Sequence, residues 1–159
     1  MRTSESALAK IKEFEGCRLT AYRDAVGVPT IGYGRTSGVR MGMTITQEEA
    51  DRDIVKFIEA EEEALKRFLG DTVLTDNQWD AIVSFAYNVG IGNFKKSTLA
   101  RKILKDPSDP TIYQDFNKWT RAGGQRLQGL VRRRSWEAAR WTGVVGMHLP
   151  NCLWGVSSY

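Results

Sequence analysis

The sequence predicts an α+β protein, mainly helical, with a small antiparallel sheet near the amino terminus. Three observations carry that reading. Apolar residues recur at three- and four-residue steps through most of the 159 residues. Between residues 18 and 34 this period gives way to β-formers cut by glycine and proline. Beyond that segment two capping-box patterns, Thr46 with Glu49 and Thr75 with Gln78, mark new helix starts.

The elements follow in order. Ala7, Leu8, Ile11 and Phe14 predict a helix over 4–15, ended by Gly16. Leu19, Tyr22, Val26, Val28, Thr30, Ile31 and Tyr33, interrupted by Gly27, Pro29, Gly32 and Gly34, predict a small sheet with tight turns. Residues 35–45 continue as loop or a third short strand. Ala50, Ile54, Phe57, Ile58, Glu61, Leu65 and Phe68 then lie along one long helix that stops at Gly70. At roughly 1.5 Å per residue it exceeds about 30 Å, enough to join two lobes. Its run Glu61-Glu62-Glu63 is expected to be a solvated face.

The segment "DNQWDAIVSFAYNV" is apolar on more than one side and is expected to be the central core helix, ended by Gly90 and Gly92. Further helices are expected over 94–105, 110–119 and 129–141, with loops at "DPSDP" and "RAGGQ". The tail 142–159 shows no period. The organisation is one domain over 1–159, with a sheet lobe at 16–46 and a helical lobe at 70–159 plus 1–15. Helix 47–69 links them.

Composition excludes several classes. A hydrophobic content of 42% with 26% charged residues is ordinary for a soluble globular chain. No stretch approaches the roughly 20 apolar residues of a membrane helix. The start, "MRTSESALAKIKEFEG", lacks the apolar core of a secretory signal, so residence in a cytoplasm is expected. Cys17 and Cys152 are the only cysteines and are expected to be free thiols, with Cys17 a small buried hydrophobe. His148 is the only histidine, so His-dependent triads require it, and no His/Cys cluster has metal-ligand spacing. The net charge of +4 divides unevenly, −1 over residues 1–70 and +5 over 71–159. A basic carboxy-terminal half suits an anionic partner. Arg132-Arg133-Arg134 is its densest point, and some of those arginines are expected to pair inside the helix bundle.

The stretch "KEFEG" carries two glutamates, Glu13 and Glu15. Successive helical residues turn about 100°. With Ile11 at zero, Ala7, Leu8 and Phe14 lie within about 60° of it, Glu15 falls near +40°, and Glu13 near 200°. Glu13 is therefore solvated, while Glu15 joins the apolar arc at the last helical turn. A carboxyl there loses hydration and sits at the negative end of the helix dipole; both favour the protonated form that a general acid needs. Asp24 and Thr30 follow in the turn-rich segment. A glycosidic bond needs one carboxyl for the leaving oxygen and a second carboxylate to activate water or attack the sugar. Glu15 paired to an arginine, Asp24 as a turn former and Thr30 as a strand residue are the structural alternatives.

Glu15, eight residues, Asp24, five residues, Thr30 resembles the catalytic Glu-Asp-Thr set of phage-type lysozymes, the endolysin muramidases. The resemblance runs through "EGCRLTAYRDAVGVPTIGYG", "GMTITQEEA", "QWDAIVSFAYNVGIGNF", "STLARKIL", "FNKWTRAGGQ" and "GLVRRRSWEA", over roughly residues 4–141. Pro29 departs from it where many members carry an aromatic residue, and Arg35 where histidine is common.

The resemblance implies a lysozyme-like fold and hydrolysis of the β-1,4 bond between N-acetylmuramic acid and N-acetylglucosamine in peptidoglycan. It implies inversion, with Glu15 as general acid and with Asp24 and Thr30 holding the attacking water. The substrate cleft is expected between the lobes. Tyr33, Thr36, Tyr87, Ser97 and Asn117 are the expected sugar contacts, with no cofactor and no metal. A monomer is expected, with neither nucleic acid nor membrane anchor, released to the periplasmic wall of its host by a separate pore-forming holin. A lytic transglycosylase, a non-catalytic wall-binding module and a nucleic-acid binder suggested by charge alone are the rival readings; Asp24 with Thr30 argues against the first, the intact set against the second, and the lack of any recognisable motif against the third.

Overall fold

The computed structural model describes residues 1–143; His148, Cys152 and the tail from 144 lie outside the described residues. The described elements are α1 (Glu5–Glu15), β1 (Arg18–Arg23), β2 (Pro29–Gly32), α2 (Gln47–Leu69), α3 (Asp76–Val89), α4 (Ile91–Lys96), α5 (Thr98–Lys105), α6 (Ile112–Phe116), β3 (Arg121–Ala122), β4 (Gln125–Arg126) and α7 (Gln128–Thr142). They pack as two compact units: Leu8–Ala60, and Met1–Ala7 with the described residues from Glu61 to Gly143.

In the first unit, β1 and β2 form an antiparallel hairpin in which Tyr22 faces Thr30 and Arg23 faces Pro29. Pro29 opens its strand, where a missing N–H is tolerated. In place of a third strand there are isolated bridges, Thr20 to Thr44 and Ile31 to Arg35. Ile11, Ala21, Ile31, Val39, Ile45, Ala50, Ile54 and Ile58 are buried. Gly32 has φ +65°, and a Cβ there would stand 3.2 Å from Ile45 Cδ1 and 3.5 Å from Ala50 Cβ. The strand therefore approaches α2 closely only because this residue has no side chain.

Polar contacts fasten the same elements. Asp51 on α2 accepts from Tyr33 (3.3 Å) and Gln47 (3.0 Å), and Lys12 on α1 lies 3.3 Å from its carboxylate. The Gln47 hydrogen bond, reinforced by Lys12, holds the Asp51 carboxyl below its ordinary range, while burial pushes the Tyr33 phenol up. Arg35 reaches from the hairpin to Asp53 (3.2 Å) and Glu49 (3.6 Å) on α2.

In the second unit α3 is the hub, with Trp79 through Ala86 buried without a break. The Thr75–Gln78 capping box is formed as the spacing predicts. Phe85 meets Phe94, Phe116 and Trp119 edge-on at 6.1, 5.5 and 5.7 Å. Beside this apolar body lies a buried ionic cluster. Arg133 donates to Ser84 Oγ (3.2 Å) and to its carbonyl (3.0 Å), Ser84 donates to Glu137 (2.5 Å), and Arg134 lies 3.2 Å from Glu137 and 4.8 Å from the Phe85 ring centroid. Burial pushes the Glu137 carboxyl up and the two arginines pull it down. Arg132 is exposed, so the arginine run divides as expected between solvent and interior. Near the amino terminus, Ser4 donates to Asp80 through its amide (2.9 Å) and hydroxyl (2.7 Å).

Several local expectations change. Ser97 divides the helix expected over 94–105, because its hydroxyl accepts from Ala100 and starts α5 anew. Gly92 lies inside α4, and Gly90 alone ends α3. The "RAGGQ" loop is a two-stranded hairpin, with Gly123 and Gly124 at φ +60° and +80° supplying its turn. Cys17 is half-exposed rather than buried. Glu61-Glu62-Glu63 is not a wet face: Glu62 is buried and accepts from Thr3, and burial raises the Glu61 carboxyl. Three consecutive helical residues span about 200° and cannot share one side.

Two outcomes are expected. Gly32→Ala should lose about 2 kcal/mol or more in urea unfolding, from left-handed strain plus overpacking, whereas Gly124→Ala, with nothing within 4 Å, should lose only about 1 kcal/mol of strain. Asp51 stabilises because its folded pKa is depressed, so the contribution is present above the unfolded value and is lost as pH falls through the folded one. The melting-temperature gap between wild type and Asp51→Asn should be open at neutral pH and close in acid; a gap that widens in acid would contradict the network.

Candidate active site

The candidate residues Glu15, Asp24 and Thr30 all belong to the Leu8–Ala60 unit. Glu15 is the last residue of α1, and Gly16, at φ +70°, donates back to the Lys12 carbonyl (2.9 Å) to stop the helix there. Glu13 is 69% exposed and pairs with Lys10 at 3.3 Å, whereas Glu15 is half-buried. The helical phase thus separates the two glutamates as the sequence predicts. Glu15 is held near the far end of the hairpin: a Cβ on Gly34 would stand 4.0 Å from Glu15 Oε1.

Asp24 follows the last residue of β1. Its Oδ1 accepts from the amides of Val26 (3.0 Å) and Val28 (2.9 Å), its own amide donates to the Val28 carbonyl (3.0 Å), and its carbonyl accepts from Gly27 (2.9 Å). The aspartate is therefore a turn former, and it is also held rigidly. Both side-chain bonds fall on Oδ1. Thr30 is only 3% exposed, and its hydroxyl donates to the Val28 carbonyl at 2.8 Å. With its proton committed there, Thr30 Oγ1 has its lone pairs left and can act only as an acceptor toward a third group. Val28 thus fastens both side chains through its own backbone.

The five expected sugar contacts differ in situation. The Tyr33 ring is buried and its hydroxyl is engaged with Asp51 and Gln47. Thr36 is exposed beyond the hairpin. In the other unit, Tyr87 is half-buried on α3, and Ser97 is a buried cap whose hydroxyl donates to the Phe94 carbonyl (2.6 Å) and accepts from Ala100. Asn117 is the half-buried C-cap of α6. Sequence reading misses the Val28 clamp and the Lys12–Gln47–Asp51 support. The pattern Asp24, Val26, Val28 is a visible sign of the first, since an aspartate before a tight turn commonly accepts amides two and more residues on.

The family model described as phage lysozyme matches residues 12–137. The chain is 40% identical over 144 residues to an endolysin of Acyrthosiphon pisum secondary endosymbiont phage 1, covering 87% of this chain and 97% of that protein. It is 38% identical to an endolysin of Bacillus phage PZA across 87% of this chain, but spans only 54% of that protein's length. Among solved structures, the muramidase domain of SpmX from Asticaccaulis excentricus superposes with a TM-score of 0.79 at 34% identity, covering 88% of this chain and 97% of that one. The endolysin from Escherichia coli O157:H7 phage FAHEc1 gives 0.79 at 34% identity, covering 91% and 96%. With the family model spanning both the Glu15–Thr30 segment and the buried Arg133 and Arg134 of α7, the chain belongs to the phage lysozyme family.

Proposed function

We propose that this glycoside hydrolase cleaves the β-1,4 bond between N-acetylmuramic acid and N-acetylglucosamine of peptidoglycan by inversion, with Glu15 as acid and with Asp24 and Thr30 directing the water. The observation that carries the division of labour is the joint attachment of Asp24 and Thr30 to Val28. A water between Asp24 Oδ2 and Thr30 Oγ1 would meet two acceptors. It would donate a proton to each, leaving a lone pair aimed outward at the anomeric carbon. Asp24 would take the proton as the C–O bond forms, and its charge would stabilise the oxocarbenium-like transition state.

Glu15 supplies the opposite half of the reaction. It ends α1, half-buried and close to Gly34 of the hairpin, and is the group assigned to deliver the proton. The proton passes to the glycosidic oxygen as the bond to the anomeric carbon breaks. Inversion calls for carboxyl groups about 6.5–9.5 Å apart, with room for the water.

The setting follows from the same reading. The enzyme acts on the cell wall as a monomer, resides in the host cytoplasm before lysis, and depends on a holin-type pore for release. Within the unit that carries Glu15, Thr36 is the expected sugar contact best suited by exposure, since the Tyr33 hydroxyl is already engaged with Asp51 and Gln47.

Glu15→Gln should fold with an unchanged melting profile and lose about 10²–10⁴-fold of turnover on purified peptidoglycan. Asp24→Asn keeps an oxygen to accept the Val26 and Val28 amides, so it should also fold and also lose turnover. Mass spectrometry of wild-type fragments should show ordinary reducing ends. Wild-type-like lysis by Glu15→Gln would remove the assigned acid, and 1,6-anhydro ends would show a transglycosylase.

A further inference from the structure

The second unit carries a shallow cavity of about 440 Å³, lined by Phe68, Lys95, Lys96, Ser97, Arg101 and Leu104. Its floor and rim differ in chemistry. Phe68 and Leu104 supply apolar surface, and Leu104 is 44% exposed although it sits on a helix that buries Leu99 and Ile103. Lys95, Lys96 and Arg101 are exposed cations at the rim. The Lys95 ammonium lies 5.9 Å from the Phe68 ring centroid, so its stem crosses the apolar floor.

These cations are not neutralised among the described residues. Lys102, on the same helix, lies 2.7 Å from the buried Asp115. Among the described residues no carboxylate lies within ion-pair distance of Lys95, Lys96 or Arg101. Arg101 spends one N–H on the Thr98 hydroxyl (3.2 Å), which steadies its fork and leaves further donors for an incoming oxyanion. The Ser97 hydroxyl is turned inward to the Phe94 carbonyl, so the polar character of the cavity is cationic. Three unneutralised cations beside an exposed leucine and an aromatic edge suit an anion with an apolar body. A purely polar polyanion would leave the leucine and the ring without a contact.

We propose that this groove docks the chain on an anionic phospholipid bilayer, with Lys95, Lys96 and Arg101 around one headgroup phosphate and with Leu104 and Phe68 against the glycerol and first acyl carbons. The proposal does not rest on the reaction assigned to Glu15; it shares with the expected sugar contacts only Ser97, whose hydroxyl is turned inward. It makes the membrane contact reversible, since a few basic side chains and one leucine cannot hold a protein permanently.

The test is co-sedimentation of the full chain with vesicles of phosphatidylglycerol and phosphatidylethanolamine, beside vesicles of phosphatidylcholine alone. Binding should require phosphatidylglycerol and weaken with salt. The combined variant Lys95→Gln, Lys96→Gln, Arg101→Gln should bind roughly a hundredfold more weakly, at about fivefold per basic side chain. Leu104→Ser alone should lose a few-fold. A control variant, Arg40→Gln, Arg52→Gln, Lys56→Gln, removes the same charge from exposed positions of the other unit and should bind as wild type does. Circular dichroism melts and turnover of soluble peptidoglycan fragments should be unchanged in every variant. Equal loss in the control would show only net charge at work, and undiminished binding by the groove variant would remove the site. Loss of retention on purified lipid-free sacculi, with vesicle binding intact, would assign the groove to a wall polymer instead; each of these results overturns the proposal.

Discussion

The backbone of Val28 is the constraint on which the proposed chemistry depends. Its amide, with that of Val26, holds Asp24 Oδ1 and its carbonyl accepts the Thr30 hydroxyl, so one residue links the position of one side chain to the hydrogen-bonding sense of the other. A carboxylate that must receive a proton from water and a hydroxyl that must orient that water need to be pre-placed, since reorganisation during the reaction would add to the barrier. The hairpin supplies this with a short excursion between Asp24 and Thr30, and no part of it depends on the identity of the Val28 side chain.

That hairpin is itself held from behind. Gly32 lets β2 approach Ala50 and Ile45, and Lys12, Tyr33 and Gln47 converge on Asp51. Lys12 lies about one helical turn before Glu15, so the contact that fastens α1 to α2 also steadies the turn carrying the proposed acid. In the other unit the stabilising logic is different. Arg133, Arg134, Ser84 and Glu137 form an ionic cluster within a body of edge-packed aromatics. Removing one partner from such a cluster costs about 3–5 kcal/mol, because the other charge is left buried. Burial of these two arginines also reduces the cationic surface that the formal charge of the carboxy-terminal half suggests.

Much of this is legible in the sequence, for physical reasons. The phase of α1 separates Glu15 from Glu13 because helical geometry is strict, and the Thr75–Gln78 box places the start of α3 because its hydrogen bonds are local. The break at Ser97 is less visible, since apolar spacing continues across it and only the hydroxyl's choice of partner divides the helix. The burial of Glu62 is hidden because its partner, Thr3, is 59 residues away. For the same reason the pairing of Asp51 with Lys12 cannot be read from either segment alone. At the site, residue types and spacing mark Asp24 and Thr30 as candidates. What the spacing does not contain is that they share Val28, which joins two separate structural roles in the one arrangement proposed to hold the water.

Under the proposed mechanism the arrangement on Val28 presents water, and not a carboxylate, to the anomeric carbon. The most direct test is the configuration of the first product. Proton NMR of a peptidoglycan fragment, followed before mutarotation, distinguishes the two anomers of the newly formed reducing end. Inversion of the β-linkage predicts the α-anomer first, equilibrating later to the mixture. Initial formation of the β-anomer would mean a covalent glycosyl-enzyme or an equivalent double displacement, and would contradict the water-directing roles of Asp24 and Thr30.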